Sequence, residues 1–125
     1  DRELYFIRPS LFDFAQQNAD IKFDIITAYE VIEHLDNPKQ TIDLIKSMLN
    51  PGGVFAGTLP NENRFFAKKY NLEFALPPYH LTYWTKDSWT YVLTEYFGLQ
   101  KIVCSNNAYF GYLSGLTQIK IISYR

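Results

Sequence analysis

Residues 23–35 read FDIITAYEVIEHL, and the class of fold is predicted from this stretch and the residues after it. Residues 23–28 are β-branched and almost continuously apolar, which is typical of a strand covered on both faces. Asp36 or Asn37 then caps a helix, and Pro38 lies in its first turn, where its missing N–H costs no hydrogen bond. The pattern therefore predicts a buried strand that leads into a helix.

A second strand follows this helix. Apolar residues recur at helical spacing and predict one buried helix face: Ile42, Ile45, Met48 and Leu49. Residues 50–53, Asn-Pro-Gly-Gly, have the chemistry of a turn and end the helix. Residues 54–59 form the next strand, which ends at Pro60. A strand, a helix and a strand in this order predict a βαβ unit with two parallel strands.

The C-terminal third predicts a second helix and a hairpin. Thr85 caps the helix and Gly98 ends it. Its apolar stripe consists of Trp89, Val92, Leu93, Tyr96 and Phe97. Residues 99–104 and 116–124 are strands, and we expect them to pair antiparallel with each other.

Composition narrows the class of protein. The chain has 125 residues, enough for one domain with a core, and 47% of them are hydrophobic. A net charge of -1 without a basic stripe argues against a nucleic-acid partner, and no apolar run has the length of a membrane span. Cys104 is the one cysteine, so an internal disulfide is excluded and a cytoplasmic setting is expected.

Four stretches together carry a family resemblance. They are residues 23–35 with Asn37 and Pro38, residues 49–54 (LNPGGV), residues 58–61 (TLPN), and residues 80–85 (HLTYWT) before Phe97 and Gly98. In this order they resemble the class I, Rossmann-like methyltransferases that depend on S-adenosylmethionine. The resemblance is to the small-molecule methyltransferases related to those of ubiquinone biosynthesis.

The resemblance implies an α/β fold. The chain would be the C-terminal part of a Rossmann-like seven-stranded sheet of order 3-2-1-4-5-7-6, mostly parallel with an antiparallel C-terminal strand. Residues 23–28 and 54–59 would be its fourth and fifth strands, and the short apolar run of residues 4–8 its third. Residues 11–17 are expected to be a loop or one helical turn.

The resemblance also implies an activity. The protein would be an enzyme that transfers a methyl group from S-adenosylmethionine to a small-molecule acceptor, at an oxygen atom. Direct displacement at the sulfonium carbon chiefly needs alignment of the reacting atoms, so no metal is expected. The two histidines also lack the spacing of a recognisable metal motif.

Two loops would bind the methyl donor. By resemblance, Ala28, Tyr29 and Glu30 line the methionine and sulfonium end, because carbonyls, an aromatic face and a carboxylate suit a cation. The loop that begins Ser10-Leu11 and contains Asp13 would contact the adenine. Asp13 has an alternative role as a solvated turn residue.

Histidines and aromatic residues would form the acceptor side. His34 and His80 are the candidate catalytic residues, because a histidine can position or deprotonate a hydroxyl. The alternatives are a structural histidine bonded to backbone for His34 and simple packing for His80. The candidate substrate-binding residues are Pro60, Asn61, Tyr79 and Tyr83, and Asn61 has an alternative role in shaping the turn.

One family feature is absent from the sequence. No Gly-x-Gly loop precedes residue 23, and the first glycine is Gly52. We therefore interpret residues 1–125 as a partial methyltransferase domain without the glycine-rich half, expected to be inactive alone. The alternative is a degenerate binding or scaffold module without catalysis. A bare apolar strand edge at residues 23–28 would favour self-association of the isolated chain, which sedimentation would detect.

Overall fold

We describe a computed structural model of the chain. It covers residues 10–63 and 76–98 in full, and the backbone of residues 101–107 and 118–124. The predicted strand at residues 4–8 and the side chain of Cys104 lie outside the described residues.

The predicted βαβ unit is present. Strand β1 is Phe23–Tyr29, helix α2 is Pro38–Met48 and strand β2 is Leu49–Pro60, and a short helix, α1, precedes them at Leu11–Gln17. Asn37 is the cap of α2, because its side-chain oxygen accepts a hydrogen bond of 3.2 Å from the backbone N–H of Gln40. Asp36 and Asn37 were the two predicted cap residues, and Asn37, beside Pro38, is the one that caps the helix.

The sheet has the strand order expected from the resemblance. Strands β3, Lys101–Asn107, and β4, Gln118–Tyr124, complete a sheet of order β1-β2-β4-β3. The β1–β2 pair is parallel, and β4 is antiparallel to both β2 and β3. This order corresponds to 4-5-7-6 of the expected sheet, with the last strand antiparallel. The predicted fold class and the predicted C-terminal hairpin are confirmed, with β3 displaced towards the C-terminus.

Strand β2 begins earlier than predicted because it contains an irregularity. Phe23 pairs with Leu49, but Ile25 pairs with Val54, so residues 50–53 bulge out of the ladder. Gly52 in this bulge has a φ of 80°, which a glycine adopts without strain. The turn chemistry predicted for Asn-Pro-Gly-Gly is therefore found inside the strand, at its start.

The core lies between the sheet and the helices. Helix α3, Lys86–Tyr91, begins at a capping box of Thr85 and Ser88 and continues as a π-helical turn over Val92–Tyr96. The fully buried cluster contains Ile32, Ile42, Ile45, Leu49, Phe55, Leu59, Trp89, Leu93 and Phe97. The apolar spacing predicted most of the helix residues that are buried, but Tyr96 of the second stripe is 39% exposed and Leu49 belongs to β2. Among the described residues, no helix is long and apolar enough to cross a membrane.

The structure corrects one prediction about the first part of the chain and decides another. Strand β1 is not covered on both faces, since Ile25 is 63% exposed and Ile26 on the other face packs against the core. Within the described residues β1 pairs only with β2, which leaves one edge bare. For residues 11–17, predicted as a loop or one helical turn, the helical alternative is correct and the helix has two turns. Ser10 caps it: its hydroxyl accepts a hydrogen bond of 3.2 Å from the N–H of Asp13.

The two parallel strands approach closely at the end that carries the site. Gly57 pairs with Ala28, and a Cβ atom at Gly57 would lie 2.1 Å from the carbonyl oxygen of Ala28. No rotation of a side chain relieves such a contact, because both partners are backbone. Only glycine fits at this position of β2.

We expect Gly57→Ala to separate the C-terminal ends of β1 and β2. The free energy of unfolding should fall by about 1–3 kcal/mol, the usual cost of an overpacked interior. Urea unfolding followed by circular dichroism measures it. Glu95→Ala, at an exposed position of the π-helical turn, is the control and should change the value by less than about 0.5 kcal/mol. An unchanged midpoint for Gly57→Ala would contradict the close approach.

Candidate active site at the carboxyl edge of the sheet

The chain turns sharply where β1 ends. Glu30 has a φ of 52° and is the one non-glycine among the described residues with a left-handed backbone. Its N–H donates a hydrogen bond of 2.9 Å to the carbonyl of Thr58 on β2. This bond holds the loop after β1 against the end of β2, where ligands bind in open α/β sheets.

A buried carboxylate follows this turn. Glu33 lies in a single 3-10 turn, Ile32–His34, and is 1% exposed. Neither of its carboxylate oxygens has a hydrogen-bond partner among the described residues. Burial raises the pKa of Glu33, and the Glu30 carboxylate adds to the rise. The backbone N–H of Glu33, which is near the carboxylate but outside hydrogen-bonding geometry, and the ring of His34 oppose the rise and do not cancel it. A buried carboxylate without a partner is costly to stability and points to a function.

The two predicted catalytic histidines lie against each other. The rings of His34 and His80 meet edge to face, with centroids 4.9 Å apart. Nδ1 of His34 is hydrogen-bonded to the backbone carbonyl of Tyr79. Because a carbonyl only accepts, Nδ1 carries the proton, and the lone pair of neutral His34 is on Nε2. Nε2 lies 3.8 Å from Oε1 of Glu33.

Glu33, His34 and His80 form one cluster. Each offers a ligand atom, and these three atoms all lie within 4.8 Å of one another. Two imidazoles and a carboxylate are a donor set that divalent transition metals accept, and a ligating histidine usually donates its other N–H to a carbonyl. The geometry can therefore hold a cation or move a proton. The spacing of residues in the sequence did not identify Glu33 as a site residue, although its position beside His34 indicated that it could be one.

Residues 76–84 form a strap that carries His80 to this cluster. The backbone N–H groups of Leu81 and Thr82 both donate to the carbonyl of Glu33, at 2.8 and 3.1 Å. The N–H of Glu62, after the end of β2, donates to the carbonyl of Trp84 at 2.8 Å. The strap is thus bonded both to the turn that holds Glu33 and to the end of β2.

A family model described as "Methyltransferase domain" matches residues 3–103, which is most of the chain. The chain belongs to the methyltransferase domain family. The family predicted from the sequence is confirmed, and S-adenosylmethionine is the methyl donor that membership implies.

Two curated relatives are similar over part of the chain. The mitochondrial ubiquinone biosynthesis O-methyltransferase of Dictyostelium discoideum is 37% identical over 60 residues, 47% of this chain and 19% of that protein. The ubiquinone biosynthesis O-methyltransferase of Pasteurella multocida is 44% identical over 41 residues, 33% of this chain and 17% of that protein. The matched regions span less than a fifth of either relative's length.

Solved structures share the fold. A SAM-dependent methyltransferase from Archaeoglobus fulgidus has a TM-score of 0.69 and 14% identity, over 95% of this chain and 66% of that chain. An O-methyltransferase family protein from Burkholderia thailandensis has a TM-score of 0.68 and 15% identity, over 97% of this chain and 35% of that one. The small RNA methyltransferase HEN1 matches with a TM-score of 0.60 and 21% identity, over 94% of this chain and 15% of that one.

In this member of the methyltransferase domain family, the two loops predicted to bind the methyl donor have different surroundings. Tyr29 is exposed, and Oε1 of Glu30 is buried without a hydrogen-bond partner among the described residues. An aromatic face and an unpartnered carboxylate fit the cationic sulfonium. On the other side, the Ser10 hydroxyl donates to the Asp13 carboxylate at 2.7 Å, and Leu11 packs on the core. One oxygen of the Asp13 carboxylate is therefore already hydrogen-bonded to the residue that caps α1.

The predicted acceptor residues fall into two groups. Pro60 and Asn61 are buried at the end of β2, and Asn61 Oδ1 accepts a hydrogen bond of 3.1 Å from the N–H of Asn63. This is the turn-shaping role given as its alternative. Tyr79 and Tyr83 are exposed on the strap, on either side of His80. The substrate-binding role of all four residues stays a prediction.

Two clefts lie away from this site. One is lined by residues of α1 and α2, including Phe12, Leu44 and Met48. The other is almost wholly apolar and lies between α2 and α3, at Ile42, Trp84 and Tyr96. Neither cleft is lined by Glu33, His34 or His80.

We expect Glu33→Gln to stabilise the protein in a metal chelator at neutral pH. The substitution keeps the shape and removes a buried charge without a partner, so the free energy of unfolding should rise by about 1–3 kcal/mol. Urea unfolding measures it, and Glu95→Gln, an exposed change of the same kind, should leave the value unchanged. A loss of stability in Glu33→Gln would show that the carboxylate has a favourable partner.

Proposed function

We propose that the natural protein containing this chain is an S-adenosylmethionine-dependent O-methyltransferase that acts on a hydroxyl group of a small molecule. The observation that carries the proposal is the pairing of His34 and His80 beside the loop after β1. That loop is where the family's donor is expected, and a hydroxyl is the acceptor that a histidine serves best. The O-methyltransferase names of the curated relatives support the same acceptor atom.

The donor end would be held by the loop after β1. The backbone of Ala28 and the side chains of Tyr29 and Glu30 would surround the sulfonium, whose positive charge the Glu30 carboxylate complements. Ser10, Leu11 and Asp13 would contact the adenine. When bound, S-adenosylmethionine supplies the methyl group, which leaves sulfur as it bonds to the acceptor oxygen.

The acceptor would lie over the histidine pair. In the displacement the acceptor oxygen forms its bond to the methyl carbon, the carbon–sulfur bond breaks, and the acceptor proton must leave. Nε2 of His34 carries the free lone pair and can take that proton, because its Nδ1 is fixed as the donor to Tyr79. Pro60, Asn61, Tyr79 and Tyr83 would border the acceptor.

We expect His34→Gln and His80→Gln to lower turnover without weakening donor binding. Loss of a general base costs about 10²–10⁴-fold in kcat. Methyl transfer from radiolabelled S-adenosylmethionine to a panel of hydroxylated small molecules measures turnover. Calorimetry with S-adenosylhomocysteine measures donor affinity, and both assays use the full natural protein.

The control for these variants is Tyr91→Phe, which removes an exposed hydroxyl on α3. It should keep both turnover and affinity. No binding of S-adenosylhomocysteine by the natural protein would overturn the methyltransferase proposal. Tight binding without turnover on any acceptor would instead favour the alternative, a methyltransferase-like module that binds without catalysis.

A second proposed role for the same cluster is to hold a divalent cation. The unpartnered oxygens of Glu33 and the lone pair of His34 favour it, although the sequence predicted no metal. A cation held there would supply Lewis acidity that lowers the pKa of an acceptor hydroxyl. Nε2 of His34 would then be a ligand rather than the base, so the two roles exclude each other.

We expect Mn²⁺ to raise the melting temperature of the chelator-treated protein, because a ligand that binds only the folded state stabilises it. Glu33→Gln should abolish the rise, whereas Glu95→Gln should keep it. Turnover in a chelator separates the roles. Activity that is lost and then restored by the cation assigns the cluster to metal, and unchanged activity with no thermal shift assigns His34 as the base.

The remaining predictions about the whole protein stay predictions. They are the cytoplasmic location, the absence of a nucleic-acid partner and self-association through the bare edge of β1. Sedimentation of the isolated chain tests the last of these, since a stable monomer would count against it.

A further inference from the structure

The side chain of Thr82 joins the strap to the turn that holds the cluster. Its hydroxyl donates to the carbonyl of Ile32 at 3.4 Å and accepts a hydrogen bond of 2.8 Å from Nε1 of Trp84. The hydroxyl therefore uses both its donor and an acceptor position. Trp84 in turn meets the fully buried Trp89 edge to face, at 4.9 Å between ring centroids, which links the bond to the core.

Exposure alternates along the strap. Tyr79, Leu81 and Tyr83 are exposed, whereas His80, Thr82 and Trp84 are partly buried. Because of this alternation, a shift of one residue would exchange the exposed and the partly buried side chains. His80 therefore meets His34 only in the register in which Thr82 also points inward.

The backbone bonds alone do not specify this register firmly. The N–H groups of Leu81 and Thr82 share a single acceptor, the carbonyl of Glu33. Other successive N–H groups of residues 81–84 could make the same pair of bonds. The Thr82 hydroxyl is specific to one register, because only there does it meet the Ile32 carbonyl. The Trp84 indole that donates to this hydroxyl packs on the buried Trp89, outside the strap.

We infer that Thr82 is a positioning residue for the candidate site. It fixes the register of the strap, and so holds His80 against His34 and Glu33 before any ligand binds. The expected effects on turnover and cation binding rest on the proposed function. The expected effect on the arrangement of the two histidine rings does not depend on that function.

The test compares Thr82→Val with Thr82→Ser in the full natural protein. Valine keeps the shape but has no hydroxyl, and serine keeps the hydroxyl. Thr94→Val is the matched control, since the Thr94 hydroxyl bonds only to helix carbonyls, at Thr90 and Tyr91, among the described residues. The direct readout is the nuclear Overhauser effect between the ring protons of His34 and His80, assigned with the two histidine variants.

In Thr82→Val we expect the ring-to-ring effect to be lost while far-ultraviolet circular dichroism is unchanged. We expect kcat, or Mn²⁺ affinity by calorimetry, to fall about 10–100-fold, the range found when residues that orient metal ligands are removed. KM should change less than kcat, and both Thr82→Ser and Thr94→Val should match the wild type.

Two outcomes would overturn the inference: an unchanged ring-to-ring effect in Thr82→Val, or an equal loss in Thr82→Ser. If Thr82→Val fails to fold, the nuclear Overhauser effect between the two histidine rings is still measured in Thr82→Ser and in the wild type. Its absence from either protein would overturn the inference. If the wild type neither transfers methyl nor binds Mn²⁺, the proposed function fails, while the ring readout still decides the role of Thr82.

Discussion

The backbone carbonyl of Glu33 is the acceptor on which the candidate site depends. Two N–H groups of the strap bond to it, and they bring together segments that are 45 to 50 residues apart in sequence. The carbonyl points to the strap while the carboxylate of the same residue is buried beside the histidines. One short 3-10 turn thus supplies both the attachment of the strap and the charge of the cluster. Because both come from one residue, displacement of the turn would separate all three cluster members.

The sheet determines where this turn stands. Parallel strands bring their carboxyl ends to one edge, and the absence of a Cβ atom at Gly57 permits the close approach of the two strands there. Glu30 is bonded to Thr58 directly beyond that contact, and the strap is bonded to Glu62 just past β2. The site is therefore built from the ends of rigid elements. Its histidines can be held in place before a ligand arrives, which reduces the cost of ordering them during catalysis.

Much of the fold followed from local signals in the sequence. Asn37 with Pro38, and Thr85 with Gly98, marked helix ends because caps and turn glycines act on their immediate neighbours. The order of the strands came from the family resemblance. The two histidines that the sequence singled out lie against each other, and their catalytic role stays a prediction. Glu33 was missed, because its burial depends on the strap that folds over it from far along the chain. The bare face of β1 was also missed, since an apolar run does not reveal whether another element packs on each face of the strand.

The left-handed backbone of Glu30 has a consequence for how this protein can change over generations. A residue with a Cβ atom in that conformation stores strain of about 1 kcal/mol or more, and glycine would release it. Random substitution that is filtered by stability alone should therefore drift towards glycine at this position. A glutamate that persists there must be retained for what its carboxylate does. Sequence variation at position 30 among natural variants thus separates selection for folding from selection for chemistry.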